Sequence, residues 1–312
     1  MLTPQEWTAG LLTGAEIEPL RTRPWADVWR VEAADGRWWL KVNKELTVYE
    51  PRLLAALATT GSSLLAESLV HASMPWTLIR DAGAPVRERF AGAEPAEIVA
   101  FWCTLLPAYG ELQRVTPVPA LRAAGLPDLT PDRLLDAFDA LVADRRWFTT
   151  TANPELGPAE LGRIVGSRDA LAAAAAELAG GVPATIQHDD LHDGNVFVDV
   201  DGRCRIIDWG DAVLSHPFST LRVTIDVLAY ALELPADAPE LVRVRDAYLE
   251  PWLAAGESRG DLLSQCELAV RTGGLIRALG WARALGTPEA GAELGFSDGP
   301  SGWLQRLADD LG

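Results

Sequence analysis

The stretch HDDLHDGN, residues 188–195, packs three aspartates, two histidines and an asparagine into eight positions. Three kinds of chemistry fit such a cluster: a metal cage, a phosphoryl-transfer loop, or a polar turn. The next residues of the chain narrow the choice. NVFVDV (195–200) and RCRIIDW (203–209) are rich in β-formers and flank Asp201-Gly202, so a β-hairpin is predicted here. Asn195 stands five residues after Asp190, and Asp208 thirteen after Asn195, at the two ends of that hairpin. A hairpin of this length brings its ends together. One carboxylate can then serve as base while an amide oxygen and a second carboxylate hold Mg²⁺, a cation that prefers hard oxygen ligands and keeps waters and phosphates as its other partners.

Outward from the loop, the search is for groups that would meet a nucleotide. The only lysines in the chain are Lys41 and Lys44, the other cations being arginine. A lysine inside an apolar strand of such a chain points to a need for a compact ammonium. Lys41 lies in RWWLKV (37–42), which pairs with ADVWRVEA (26–33) across Asp35-Gly36. Glu50 comes next, in the first turn of a helix expected over 47–61, with Gly61 as its stop. Glu45 is the competing acid. Strand lysine, helix glutamate, loop aspartate, loop asparagine and downstream aspartate then fall in the order that the kinase template of phosphoryl transfer requires.

Further strands are expected near 16–21, 64–72 and 76–81, giving β-β-β-α-β-β over 15–81. From Pro95 the pattern turns helical, with helices at 95–115, 131–147 and 158–179, and again at 218–234, 239–255, 259–285 and 300–311. AGAPVRERFAGAE (82–94) reads as the linker between the two parts.

Composition bounds the partners. At 312 residues the chain can bury a full core. A net charge of −17 argues against nucleic acid, whose phosphates demand stripes of Lys and Arg. No apolar run reaches membrane-spanning length, and the start MLTPQEWTAG has no secretory pattern. Three widely spaced cysteines, Cys103, Cys204 and Cys266, form neither a disulfide framework nor a ligand pair. A cytoplasmic monomer or homodimer, with no membrane or nucleic-acid partner, is the expectation.

On His188, Asp190 and Asn195 as H-x-D-x-x-x-x-N, with Ile206-Ile207-Asp208-Trp209 downstream and Lys41 upstream, the chain resembles the aminoglycoside phosphotransferase and choline kinase-like family. The resemblance covers most of the chain. It implies an α+β, bilobal protein-kinase-like fold, with a small β-rich lobe at 1–82 and a large, mainly helical lobe at 83–312. It implies Asp190 as catalytic base, Asn195 and Asp208 as Mg²⁺ ligands, Lys41 on the phosphates of ATP (or GTP), Glu50 as its ion-pair partner, and His188 as a brace for the loop. Ile79-Arg80-Asp81-Ala82 resembles the interlobe hinge, where the carbonyl of Arg80 and the amide of Ala82 would meet adenine. The implied reaction moves the γ-phosphate to a hydroxyl of a small molecule, first an antibiotic of aminoglycoside-like, peptide or nucleoside type. The alternatives are a metabolic kinase for a sugar, choline or amino alcohol, and a nucleotide-binding pseudoenzyme.

The chain departs from the family in three places. The turn TRPWAD (22–27) has no glycine, position 189 is Asp where Gly is common, and Thr220 stands where many members have a buttressing Asp. A metal-dependent hydrolase built on His188, Asp189 and His192 is the reading from a different class. His71 and His216 read as packing residues. The twelve tryptophans read as mostly core, with one or two in the helical region, such as Trp252 or Trp281, as candidates to stack on a ligand.

Overall fold

The computed structural model describes residues 2–149, 153 and 156–312. It opens with a helix that the pattern reading leaves out, α1 (Pro4–Leu11), although its start is legible in the sequence. Thr3 and Glu6 form a reciprocal capping box, with Pro4 in the first turn.

The strands β1 (Glu16–Thr22), β2 (Ala26–Ala33) and β3 (Gly36–Asn43) come next, then α2 (Glu50–Ala58), β4 (Ser68–Val70) and β5 (Trp76–Arg80). They form one antiparallel sheet in the order β1-β2-β3-β5-β4. This is the expected β-β-β-α-β-β order with trimmed ends. The β2–β3 turn is Ala34-Asp35, and Gly36 opens β3 at φ +120°, a value that glycine adopts without strain. In β3 the period of two sends Trp38 and Leu40 to a core under α1, with Leu12, Val31 and Leu78. The same alternation turns Trp39, Lys41 and Asn43 to the opposite face.

Residues 82–94, which join the sheet to the helical part, carry short elements of their own. Gly83, at φ +95°, passes so close to the next hairpin that a Cβ would fall 2.3 Å from the carbonyl oxygen of Val198. There β6 (Ala84–Pro85) pairs with Phe197 and Val198 of that hairpin, and α3 (Val86–Arg89) adjoins it.

The large part runs through α4 (Pro95–Val115), α5 (Val118–Ala124), α6 (Pro131–Ala143), α7 (Pro158–Gly166) and α8 (Arg168–Ala179). It continues with short strands β7 (Thr185–Gln187), β8 (Val196–Val198), β9 (Cys204–Ile206) and β10 (Val213–Ser215). The last stretch is α9 (Leu221–Ala231), α10 (Pro239–Ala254), α11 (Arg259–Leu285), α12 (Pro288–Leu294) and α13 (Gly299–Leu311). The helix expected over 131–147 stops at Ala143, because Asp144 caps a separate 3₁₀ turn at Arg145–Phe148. That expected over 158–179 breaks at Ser167 into α7 and α8.

Aromatic rings of Tyr109, Phe218, Tyr248 and Trp252 interlock in the core of this part. Trp252 is therefore a core residue, 4% exposed. Helix α11 is buried on most sides, through Leu262, Ala269, Leu275 and Ile276, as expected of a helix at the centre of a bundle. The fold is α+β, with a β-sheet amino-terminal region and a mainly helical remainder. Among the described residues no helix is long and apolar enough to cross a membrane.

Candidate active site

The β8–β9 hairpin does what its length requires. Val196 pairs with Ile206 and Val198 with Cys204, and the Ile207 amide donates to the Asn195 carbonyl at 3.0 Å. Asn195 therefore sits across from the residue that precedes Asp208. The Ile206 amide donates to the Leu64 carbonyl (2.7 Å), tying the hairpin to the segment that leads into β4.

Lys41 crosses from the sheet to this hairpin. Its Nζ lies 2.7 Å from Glu50 Oε2, 2.9 Å from Glu50 Oε1 and 2.6 Å from Asp208 Oδ1. Burial disfavours the ammonium, but Asp208 and Glu50 outweigh it and hold the lysine pKa above its ordinary value. Asp208 in turn is held below the usual carboxylate range by Lys41. The Glu50 side chain is 1% exposed, and Asn43 Nδ2 fixes its Oε2 at 2.6 Å. Glu45 lies exposed, away from this pair.

The loop is braced from several sides. The Asp190 amide donates to His188 Nδ1 (3.3 Å), and His188 Nε2 donates to the Ile207 carbonyl (2.9 Å). Burial lowers the His188 pKa to about 4, so the ring is neutral with its proton on Nε2. The His188 amide donates to Tyr109 Oη (3.0 Å), which lies 3.2 Å from Thr220 Oγ1. Thr224 Oγ1 donates to the Leu191 carbonyl at 2.7 Å. A tyrosine and two threonines thus brace the loop where an aspartate was expected.

Asn195 Nδ2 donates to the Asp190 carbonyl (2.8 Å) and to Asp190 Oδ2 (3.0 Å). That orientation turns the amide oxygen of Asn195 away from Asp190. An amide oxygen and the second carboxylate oxygen of Asp208 form a hard-oxygen donor set that fits Mg²⁺. Among the described residues no three His, Cys, Asp or Glu side chains gather as a metal cage. His188, Asp189 and His192 diverge instead.

His192 faces two competing influences. Asp190 Oδ2 and Asp193 Oδ1 lie 3.4 Å from its ring nitrogens and favour the protonated form. The Gly194 amide (2.9 Å) and Arg87 Nη2 (3.0 Å) approach Nδ1 as donors and need its lone pair. The closer donors decide, and leave a neutral ring with Nε2–H toward Asp190.

Asp189, unexplained by the sequence, adopts φ +64° with its side chain 2% exposed. Arg277 Nη1, from α11, donates to the Asp189 carbonyl at 2.8 Å and lies 3.4 Å from its Oδ2. Burial pushes the Asp189 carboxyl up to about 7, against the pull of Arg277. Arg277 Nη2 also lies 3.0 Å from Asp190 Oδ1. Burial alone would raise the Asp190 pKa, but Arg277 reverses this and keeps the group ionised. The motif reading missed Arg277. It lies 87 residues from Asp190, in a helix with no local pattern to single it out.

Two cavities meet at Asp208. One, of about 260 Å³, has apolar walls from Ala26, Val28, Ile79 and Ala82 on the sheet side and from Phe197 and Ile207 on the hairpin side. Lys41, Asp208 and Arg80 also border it. The Arg80 side chain turns outward to Asp35 (3.0 Å) and over the Trp38 ring. The second cavity, of about 270 Å³, is lined by Asp190, His192, Asp211, Arg277, Trp281 and Phe296, among others. Trp25 and Asp208 border both. Trp25 comes from the turn without glycine, which Lys44 and Thr47 pin by bonds to the carbonyls of Arg23 and Trp25 (2.6 and 2.7 Å). A larger hollow of about 370 Å³, over Phe90, Trp102 and Leu228, touches neither Lys41, Asp190 nor Asp208.

The fold recurs in solved structures. The chain is similar to an ethanolamine kinase of Plasmodium vivax, at TM-score 0.64 and 13% identity, covering 97% of this chain and 85% of that one. It is similar to a macrolide 2′-phosphotransferase of Brachybacterium faecium, at TM-score 0.60 and 18% identity over 98% and 97% of the two chains. It is also similar to aminoglycoside 2′-phosphotransferase-IIIa in its GDP complex, at TM-score 0.63 and 14% identity over 99% and 96%. At these identities the likeness shows the fold. A search of curated protein sequences finds no match. The model of the phosphotransferase enzyme family matches residues 19–263, more than half of the chain and all of the lysine–hairpin site. The protein belongs to the phosphotransferase enzyme family, with the kinase-like fold of aminoglycoside phosphotransferases and choline kinases.

Proposed function

We propose that this protein transfers the γ-phosphoryl group of ATP or GTP to a hydroxyl of a small molecule. The observation that carries the reading is the Lys41 ammonium at the end of the apolar cavity, held between Glu50 and Asp208, the residue at which the two cavities meet. The apolar cavity suits a nucleoside base, with the main chain of Arg80 and Ala82 at its edge and the phosphates directed to Lys41. That the relative with GDP shares this fold supports nucleotide use. We put the boundary between the lobes at residues 82–83; the end of β5 at Arg80 and the close pass of Gly83 over the hairpin support it.

In this reading Asp190 accepts a hydrogen bond from the acceptor hydroxyl. As the oxygen–phosphorus bond forms and the bridging bond to the leaving nucleoside diphosphate breaks, the hydroxyl proton passes to Asp190. Asp190 stays ionised beside Arg277, so its main contribution is orientation, with proton transfer late. Lys41 meets charge on the phosphates. Mg²⁺, when bound by Asn195 and Asp208, supplies further charge neutralisation there. Preorganised charge and positioning then account for most of the acceleration.

Asp190 and Asp211 beside the rings of Trp281 and Phe296 suit an acceptor with an amine as well as a hydroxyl. Cationic antibiotics and amino alcohols both meet that description, and the antibiotic is the reading favoured here. The test is phosphate transfer from ATP and GTP across a panel of ethanolamine, choline, an aminoglycoside, a macrolide and sugars, with and without Mg²⁺. Magnesium-dependent transfer to one of them is expected. Nucleotide binding without turnover on any hydroxyl compound would instead make the protein a nucleotide-binding pseudoenzyme.

A further inference from the structure

Asp190 is gripped by both oxygens. Asn195 holds Oδ2 at 3.0 Å and Arg277 holds Oδ1 at 3.0 Å, so the carboxylate cannot turn about its last torsion without losing one partner. The second grip comes from outside the loop, and from outside the family match, which ends at residue 263.

Arg277 is built in closely. It is 6% exposed, its Cζ lies 5.8 Å from the Trp303 ring, and its Nε is buried without a hydrogen-bond partner among the described residues. Its terminal nitrogens face three carboxylates: Asp189 at 3.4 Å, Asp190 at 3.0 Å and Asp211 at 3.7 Å. The firmest anchor is the Asp189 carbonyl, 2.8 Å from Nη1. Asp189 reaches this position only with a left-handed backbone, which disfavours a residue carrying a Cβ. Gly280 completes the fit. A Cβ there would lie 3.0 Å from Asp189 Oδ2, so the bare helix face lets the loop come close.

Arg277, Gly280, Trp281 and Ala284 all border the second cavity, and their spacing puts them on one face of α11. The helix that forms the acceptor wall is thus the helix that aims Asp190. If the guanidinium were structural glue alone, a partner on Asp189 would be enough; the fork that also reaches the base would have no use.

We propose that Arg277 is the positioning residue for Asp190, fixing the carboxylate from the acceptor-side helix, with Asp189 as the partner that fixes Arg277. The proposal rests on the phosphotransfer reading above. It joins base orientation to the acceptor site, because any shift of α11 on acceptor binding moves the guanidinium that holds Asp190.

The test compares wild type with Arg277→Lys and Arg277→Ala, using magnesium ATP and GTP as donors and ethanolamine, choline, an aminoglycoside, a macrolide and water as acceptors. Arg277→Lys keeps the charge but loses the fork. It is expected to melt within a few degrees of wild type, with kcat lower by about tenfold or more and KM for nucleotide unchanged. Arg277→Ala is expected to lose about 100-fold in kcat, and non-denaturing guanidinium chloride should restore part of it. Where Arg277→Ala does not fold, Arg277→Lys decides. A folded variant with kcat within a factor of two of wild type overturns the proposal alone, as does a kcat loss that only tracks the loss of folded protein and does not respond to guanidinium. A wild type that moves phosphate to no acceptor, water included, overturns the phosphotransfer reading and this proposal with it.

Discussion

The cavity on the sheet side of Asp208 and the cavity on the helix side are nearly equal in size, about 260 and 270 Å³. Their walls differ. The first is apolar on two faces, with Lys41 meeting Asp208 at one end and Arg21, Arg23 and Arg80 also on its border. The second mixes Asp190, Asp211, His192 and Arg277 with the rings of Trp25, Trp281 and Phe296. An apolar slot with a cationic border suits a flat base that carries phosphates. A mixed acidic and aromatic wall suits a ligand recognised by shape and charge together. In the proposed reading the donor side is set by strand alternation and a short hairpin, and the acceptor side by one long helix and its neighbours.

This division between donor and acceptor sides is tested most severely at Lys41. Lys41→Ala removes the cation of the donor side and leaves Glu50 buried without its partner. A loss of about 100- to 1000-fold in kcat/KM is expected, together with a lower melting temperature. Steady-state kinetics and thermal melting check both, and near-wild-type turnover would remove Lys41 from the phosphate site. Trp281→Ala tests the other side. KM for the acceptor should rise about tenfold while nucleotide affinity stays the same, as expected from losing one aromatic wall. An equal rise in both constants would mean that the two cavities do not divide the labour as described.

The smallest effect concerns stability and lies away from both cavities. His216 is 1% exposed, with Gln265 3.4 Å from its Nε2, and burial lowers its pKa to about 4. The unfolded chain takes up a proton near the ordinary histidine value, so between about pH 6.5 and 4 it binds more protons than the folded chain does. Stability is therefore present above pH 6.5 and falls as the pH drops through this window, by at most roughly 3 kcal/mol for this group. Melting curves across that range should be flatter in His216→Gln than in wild type. Parallel curves would show that His216 does not contribute.

The gathering of Lys41, Glu50 and Asp208 was legible because these parts are close in sequence or tied by a hairpin. Lys41 and Glu50 are nine residues apart, and Asp190, Asn195 and Asp208 fall within nineteen. Strand period, turn chemistry and ligand type act over such distances. The helix-side cavity was not legible. Arg277 reaches Asp190 only because α11 packs beside the loop, and no local pattern encodes that packing. Asp189 was unreadable for the same reason, since its partner lies in α11. The α1 capping box and the Asp144 cap were local signals outweighed by broader periodicity. Residues 82–94 join the sheet to the helical part, and composition did not show that β6 and α3 form there or that Gly83 passes close over Val198.

Transfer of phosphate from a nucleotide at Lys41 to a hydroxyl oriented by Asp190 is tested most directly by label transfer. Wild type and Asp190→Ala would each be given γ-labelled magnesium ATP, with nucleotide affinity measured on both. Unchanged affinity is expected, with transfer lower by about 1000-fold or more in the variant. Retained transfer in Asp190→Ala, with affinity intact, would contradict the role given to Asp190.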